Sequence, residues 1–438
     1  MKIRNILFCL LIVLTTNSKA QEKPLQWDLT TCIRYALDNN IQIQKSKISL
    51  EVSTITSKQA KAQLFPNLSA SINQNVTNYP TLVSGGTSTS YSGSYGISSS
   101  MTLFNGGKTQ MNIRQQKLEE EASQFDVQEA EKNIEMSILQ TYLQILYANE
   151  AVTINRSTLA VSEYQQTRGE SLLKAGSISK ADLAQLESQN SSDKYQLVVA
   201  ENSLSSMKLE LKQLLELTSG DEFNIVIPEL NEINILNPLP NLQSIYSTSL
   251  TVMPQLKSSR LDLQIAGLEI NKAKTGYLPK ISLNASVGTG HLSGTGYNLS
   301  EQLQDRWNEG IAVSVSIPIF TNRETRSTVE KARLSEKTTK LDLQVAEKTL
   351  LQEIESAYQD ASSAQSQYVA AAEKVKALQT SYNLIEQQFN LGLKNTLELL
   401  TEKNNLLAAQ QSMLQAKYLS IMNTQMLNLY QDLPLEIK

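Results

Sequence analysis

Four short stretches of this chain alternate strictly between apolar and small polar residues. In the first, Leu68, Ala70, Ile72 and Val76 are interleaved with Ser69, Ser71, Asn73, Asn75 and Thr77. In the second, Tyr91, Tyr95, Ile97, Met101 and Leu103 face away from Ser92, Ser94, Ser98, Ser100 and Thr102. The third sets Ile281, Leu283, Ala285 and Val287 against Ser282, Asn284 and Ser286. The fourth sets Ile311, Val313, Val315, Ile317 and Ile319 against Ala312, Ser314 and Ser316. A period of two with one apolar face predicts β-strands, over about 67–78, 91–103, 280–291 and 311–319. A water-facing side of a soluble sandwich usually carries Lys and Glu, whereas these polar faces carry no charge. Strands of about 9–11 residues, apolar outward and polar inward, fit a transmembrane barrel. The Gly- and Ser-rich segments Ser84–Ser90 and Gly288–Gly296 read as loops between paired strands.

Elsewhere the period lengthens. Ile134, Ile138, Tyr142, Ile145, Ala148 and Val152 recur at steps of three or four. Ile354, Tyr358, Ala361, Tyr368, Ala372, Val375, Leu378, Tyr382, Ile385 and Phe389 do the same at steps of three, four or seven. These are seams of coiled-coil type. They predict long helices at about 107–175 and 323–391, each roughly 100 Å if unbroken at about 1.5 Å per residue. Return helices are expected at 178–217, through Leu204, Met207, Leu211 and Leu214, and at 394–431, through Leu399, Leu400, Leu407, Leu414 and Ile421.

The two halves share one plan. Leu64-Phe65-Pro66-Asn67-Leu68 resembles Tyr277-Leu278-Pro279-Lys280-Ile281, Leu103-Phe104-Asn105 resembles Ile319-Phe320-Thr321, and Ala175-Gly176 through Asp182-Leu183 resembles Leu391-Gly392 through Glu398-Leu399. Three anchors in one order at nearly one offset point to an internal duplication. The first repeat is read as 21–217 and the second as 254–432, with an irregular connector at 218–253 carrying Pro228, Pro238 and Pro240, and a tail at 433–438. Pro66 and Pro279 end the helical pattern before each strand pair. Four strands cannot close a barrel, and lipid tolerates no open edge, so transmembrane strands require an oligomer. The fold expected is mainly α with a transmembrane β-barrel portion, built from two repeats and closed only as an oligomer.

Composition sets the compartment. Lys2 and Arg4, the apolar run Ile6–Leu14 and Ser18-Lys19-Ala20 read as a signal peptide over 1–20, with Gln21 starting the mature chain. Cys9 lacks the small residues that precede a lipidated cysteine, and Cys32 alone remains after cleavage, so neither a lipid anchor nor an intramolecular disulfide is expected. A net charge of −4 argues against a nucleic-acid partner. His291 is the single histidine and reads as a surface residue at a strand end. With one histidine and one mature cysteine, no zinc site or Cys–His nucleophile can be assembled, and Gly106-Gly107-Lys108 lacks the spacing of a phosphate loop; no metal is expected. No cofactor and no enzymatic activity are expected.

These marks together resemble the TolC-like outer-membrane efflux proteins. They are the opening Leu29-x-x-x-Ile33-x-x-Ala36-Leu37-x-x-Asn40, the two proline turns, Leu103-Phe104-Asn105-Gly106-Gly107 and the paired Gly-x5-Asp-Leu and Gly-x5-Glu-Leu turns. The second strand-to-helix turn, Ile319-Phe320-Thr321-Asn322-Arg323, departs from the pattern by lacking glycine. The resemblance implies a homotrimer in the outer membrane with a long periplasmic extension, a twelve-stranded barrel above a twelve-helix tunnel. It implies a passive exit duct working with a periplasmic adaptor and an inner-membrane pump of RND or ABC type, in efflux or type I secretion. The adaptor-docking turns would be Gly176 to Leu183 and Gly392 to Leu399. The gate would use Glu398, Asp182, Lys394 and Phe389, with Lys394 standing where the family has arginine and Thr401 where it has a second acid. The plainer reading of Asp182 and Glu398 is as helix-capping carboxylates. The competing functional class is a non-transporting coiled-coil scaffold or adhesin of the cell envelope.

Overall fold

The computed structural model describes residues 26–78, 89–218, 223–228 and 235–435. The segment read as a signal peptide, most of the Ser84–Ser90 loop and the end of the tail lie outside these residues. The chain begins with two helices, α1 (Leu29–Asn39) and α2 (Ile41–Ala62), and passes into strands β1 (Asn67–Asn78) and β2 (Thr89–Phe104). A first helical hairpin follows, α3 (Lys108–Lys174) and α4 (Lys180–Leu214). Helices α5 (Leu242–Val252) and α6 (Pro254–Lys274) lead to β3 (Lys280–Leu292), a short α7 (Leu299–Asp305) and β4 (Asn308–Ser316). The second hairpin is α8 (Glu324–Asn390) and α9 (Thr396–Tyr430). The duplication is metrically close: α3 and α8 each have 67 residues, α4 and α9 each have 35.

The four strands form one antiparallel sheet in the order β1-β2-β3-β4. Its register aligns Ala70, Ile97 and Val287, and likewise Met101, Leu283 and Val313, on one face. Ser69, Ser98, Ser286 and Gly310 align on the other. The polar face is built of Ser, Asn, Thr, Gly and Ala, apart from Lys280 at its base and Leu292 at its rim. On the outer strands β1 and β4 the apolar face is bare: Leu68 is 77% exposed and Ile311 81%. β1 and β4 each leave one edge without a partner strand in the sheet, so the barrel closes only between chains.

Several local expectations are corrected. β4 starts at Asn308 and ends at Ser316, leaving Ile317 and Ile319 outside the ladder, because Pro318 has no N–H to donate. Gly288 and Gly290 lie within β3 rather than in a loop; a Cβ at Gly290 would stand 2.6 Å from the Gly93 carbonyl oxygen. His291 is not a surface residue. Its ring lies across Gly93, with centroids 5.2 Å from Tyr91 and 5.9 Å from Tyr95. The connector, expected to be irregular with short elements, holds one such element, α5, whose start is fixed by Asn241 Oδ1 accepting from the backbone N–H of Gln243 and Ser244.

The helical core gathers Ile138, Tyr142, Ile145 and Leu146 with Leu211, Leu414 and Ile421. Trp27, fully buried, pins the connector through its backbone, donating its main-chain N–H to the Asn224 carbonyl and accepting from the Val226 N–H at its own carbonyl. Tyr142 donates its hydroxyl to the Val226 carbonyl at 2.6 Å. Asn40, the last residue of the opening motif, caps α2 and reaches across to donate to the Leu214 carbonyl. Two apolar stripes nevertheless stay exposed, Ile48, Val52 and Ile55 on α2 and Leu334, Leu341 and Val345 on α8. Their steps of three, four and seven are those of a helix seam awaiting a neighbour. Among the described residues, no helix is long and apolar enough to cross a membrane.

Candidate gate at the hairpin tips

Both hairpins reverse through the same backbone device. Gly176 at φ +75° and Gly392 at φ +76° sit just past the ends of α3 and α8. Ser177 donates its N–H to the Leu172 carbonyl and Gly176 to Leu173; Leu393 donates to Gln388 and Gly392 to Phe389. This is the paired closure that satisfies the last carbonyls of a helix, and it needs a left-handed residue that glycine supplies without a Cβ clash. The returning helix is then capped reciprocally. The Ser179 hydroxyl accepts from the Asp182 N–H while the Asp182 carboxylate accepts from the Ser179 N–H; Asn395 and Glu398 repeat the arrangement.

Asp182 and Glu398 are thus capping carboxylates in their local geometry. The Ser179 hydroxyl holds the Asp182 carboxyl below its ordinary value, with a smaller contribution from Thr396 of the other hairpin. The Lys394 ammonium does the same for Glu398, aided by the Asn395 N–H. Lys394 Nζ lies 2.5 Å from Glu398 Oε1, so its cation is engaged one turn away within its own hairpin. Thr401 donates its hydroxyl back to the Leu397 carbonyl and presents no charge.

Asp182, Phe389, Lys394 and Glu398 all line one cleft of about 480 Å3 between the two hairpin tips. Phe389 is buried against Tyr382, Leu399 and Leu406, packing the cleft's inner wall. Leu399 is fully buried and Leu183 half-buried, while Gly176 and Gly392 are exposed with open space around them. Leu391, Leu393 and Leu397 stand exposed on the second tip.

Further along the hairpins lies a polar layer that sequence reasoning missed. Lys403 of α9 donates to Asp193 Oδ2 of α4 at 2.6 Å and to the Ser162 hydroxyl of α3, and Ser162 also bonds Asp193. All three side chains are buried. Gln165 of α3 donates to the Tyr382 hydroxyl of α8 at 2.9 Å, and Tyr382 donates to Glu386. Gln189 and Asn404 meet at 3.3 Å. Burial lowers the Lys403 pKa, opposed by its bond to Asp193. One signal was available: Lys403 falls four residues after Leu399 and four before Leu407, on the apolar seam itself.

An open four-stranded sheet with one apolar face, set on two duplicate helical hairpins, defines a subunit of an oligomeric barrel-and-tunnel channel. The chain belongs to the outer membrane efflux protein family, whose model matches residues 32–216 and 245–431. It is 22% identical over 394 residues to the outer membrane efflux protein BepC of Brucella suis, covering 89% of this chain and 82% of that one. It is likewise 22% identical over 402 residues to the outer membrane protein TolC of Escherichia coli, covering 88% and 78%. Among solved structures, CusC matches with a TM-score of 0.81 at 19% identity, over 92% of this chain and 91% of that one. The open state of the Neisseria gonorrhoeae MtrE outer membrane channel matches with a TM-score of 0.74 at 20% identity, over 92% and 88%.

Proposed function

We propose that this chain is one subunit of a homotrimeric, passive exit duct of the outer membrane, joined at its periplasmic end to an adaptor and an inner-membrane pump. The observation that carries the reading is the sheet: one face mainly apolar, the other small and polar with Lys280 its one charge, on a chain that cannot close the barrel alone. Three copies give twelve strands around a polar lumen and four long helices each below it. The exposed Leu391, Leu393 and Leu397 beside the Gly392 turn supply an apolar tip of the kind a docking partner covers.

The gate reading assigns Glu398 and Asp182 to a ring of carboxylates at the tunnel's narrow end, with Lys394 and Phe389 fixing the local packing. Three copies of two acids around one axis would repel anions and hold cations. Energy for transport comes from the pump, and substrate choice rests there too; drugs, metal ions and secreted peptides all fit a duct of this kind. The deciding experiment reconstitutes the purified protein into planar bilayers. Discrete channel conductance from heat-modifiable trimers supports the duct, and its absence from correctly assembled trimers favours a scaffold or adhesin.

A further inference from the structure

The connection between β3 and β4 does not stand over the end of the sheet as a loop. It folds back and lays α7 against the sheet. Thr289 donates its hydroxyl to the Leu303 carbonyl at 2.6 Å, and Gln302 Oε1 accepts from the Leu292 N–H at 2.8 Å. Thr289 follows Val287 by two residues and pairs with Tyr95, so its side chain is on the apolar face. α7 therefore rests on the outside of the barrel at the rim remote from the helices. Trp307, which follows it and precedes β4, lies beside Glu309, a residue with the parity of Ile311 and Val313 on the apolar face. Its indole N–H donates to Glu309 Oε1 at 3.0 Å.

We propose that α7 and Trp307 form an interfacial anchor that seats in the lipid headgroup layer of the outer leaflet and fixes the depth of the barrel. The inference rests on the sheet being the membrane-spanning part, as argued above. Tyr297, Leu299 and Trp307 are 64%, 55% and 58% exposed, a large apolar and aromatic display for a free loop. They are interspersed with Glu301, Asp305 and Arg306, which hydrocarbon would reject. Amphipathic rings mixed with charge suit the headgroup level and neither of its neighbours. The spacing agrees. From Val315 to Trp307 the strand runs about 26 Å at about 3.3 Å per residue, which at a tilt of about 40° rises roughly 20 Å and sets Trp307 toward the outer edge of the roughly 25 Å apolar band of such barrels.

The chain has two tryptophans, and Trp27 is fully buried in the helical core, so the fluorescence difference between the native protein and Trp307→Phe isolates Trp307. Both proteins are reconstituted at full length into phosphatidylcholine vesicles brominated either near the ester groups or near the chain ends. Ile311→Trp in the Trp307→Phe background, or Val313→Trp should that variant assemble poorly, reports whether the sheet is in the bilayer. The expected result is Trp307 quenching about twofold stronger from the shallow bromines, as for a ring at the interface. Quenching from neither lipid, with the strand probe quenched, overturns the anchor and leaves the barrel standing. Stronger quenching from the deep bromines also overturns it, since the helix would then lie in hydrocarbon. If the strand probe is unquenched as well, the barrel reading itself fails.

Discussion

Lys403 Nζ and Asp193 Oδ2 lie 2.6 Å apart with side-chain exposures of 5% and 4%, and they belong to different hairpins. Removing one partner of such a pair strands the other charge, at roughly 3–5 kcal/mol, whereas replacing both with apolar residues is often neutral. Lys403→Met and Asp193→Leu should each lower the thermal stability of the helical signal, and the double variant should recover most of the loss. Circular dichroism melts of the purified protein in detergent check this; an additive double variant refutes the coupling.

The two strand-to-helix turns solve one backbone problem with different residues. Gly106 and Gly107 take φ +69° and +83°, and in the second copy Asn322 and Arg323 take φ 47° and 68°. At Gly106 a Cβ would stand 2.7 Å from Leu278, while at Gly107 the nearest atom is 3.6 Å away. Gly107→Asn should therefore cost about 1 kcal/mol or less and Gly106→Ala distinctly more, of order 1–3 kcal/mol. The yield of folded, assembled protein for the two variants gives the comparison.

The capping boxes make the tips acid-labile. Both carboxyls titrate in the folded chain below their ordinary 3.8 for Asp182 and 4.5 for Glu398. The unfolded tip thus binds protons that the folded tip does not. The contribution is complete above those ordinary values and is lost as pH falls through the lowered ones. Hydrogen-exchange protection at 176–183 and 392–399, taken relative to the intrinsic rate at each pH, should fall on acidification through this range, ahead of protection in the buried seams.

Charge and cap can be separated at Glu398. Glutamine still accepts from the Asn395 N–H, so Glu398→Gln preserves the capping box while removing the anion. If the carboxylates ring the constriction, block of conductance by divalent cations should weaken by about tenfold at low salt. Unchanged block would leave Glu398 with the capping role alone.

Adjacent residues on β4 should respond oppositely to the same substitution. Val313 aligns with Leu283 on the apolar face and Ser314 with Ser282 on the polar one. Lysine on the lipid side costs about 2–4 kcal/mol near the midplane. Val313→Lys should abolish recovery in the outer-membrane fraction, and Ser314→Lys should assemble and alter ion selectivity.

Much of this architecture was legible because two periods dominate the chain. The uncharged alternation from Leu68 to Val76 and the seam from Ile138 to Val152 each depend on side chains in regular succession, so spacing alone exposes them. Gly176 and Gly392 were legible too, since a helix reversal needs φ > 0. What spacing does not show is partnership between distant segments. Nothing adjacent to Lys403 in sequence announces Asp193 or Ser162, and His291 looked exposed because its cover, Tyr91 and Tyr95, comes from the other copy. α7 escaped for a different reason: it has seven residues, too few for a helical period to emerge. The capping reading of Asp182 and Glu398 followed from position alone, while Lys394 turning back on Glu398 did not.

The open sheet also has a consequence for mixed assemblies. With the order β1-β2-β3-β4, a ring of identical chains joins the β4 edge of each to the β1 edge of the next, a head-to-tail contact made of two different surfaces. Each subunit is therefore both a donor and an acceptor of its neighbour. A chain blocked only at β4 still offers a sound β1 edge, enters a nascent ring and halts it there. In a cell making both forms, such an allele would be dominant.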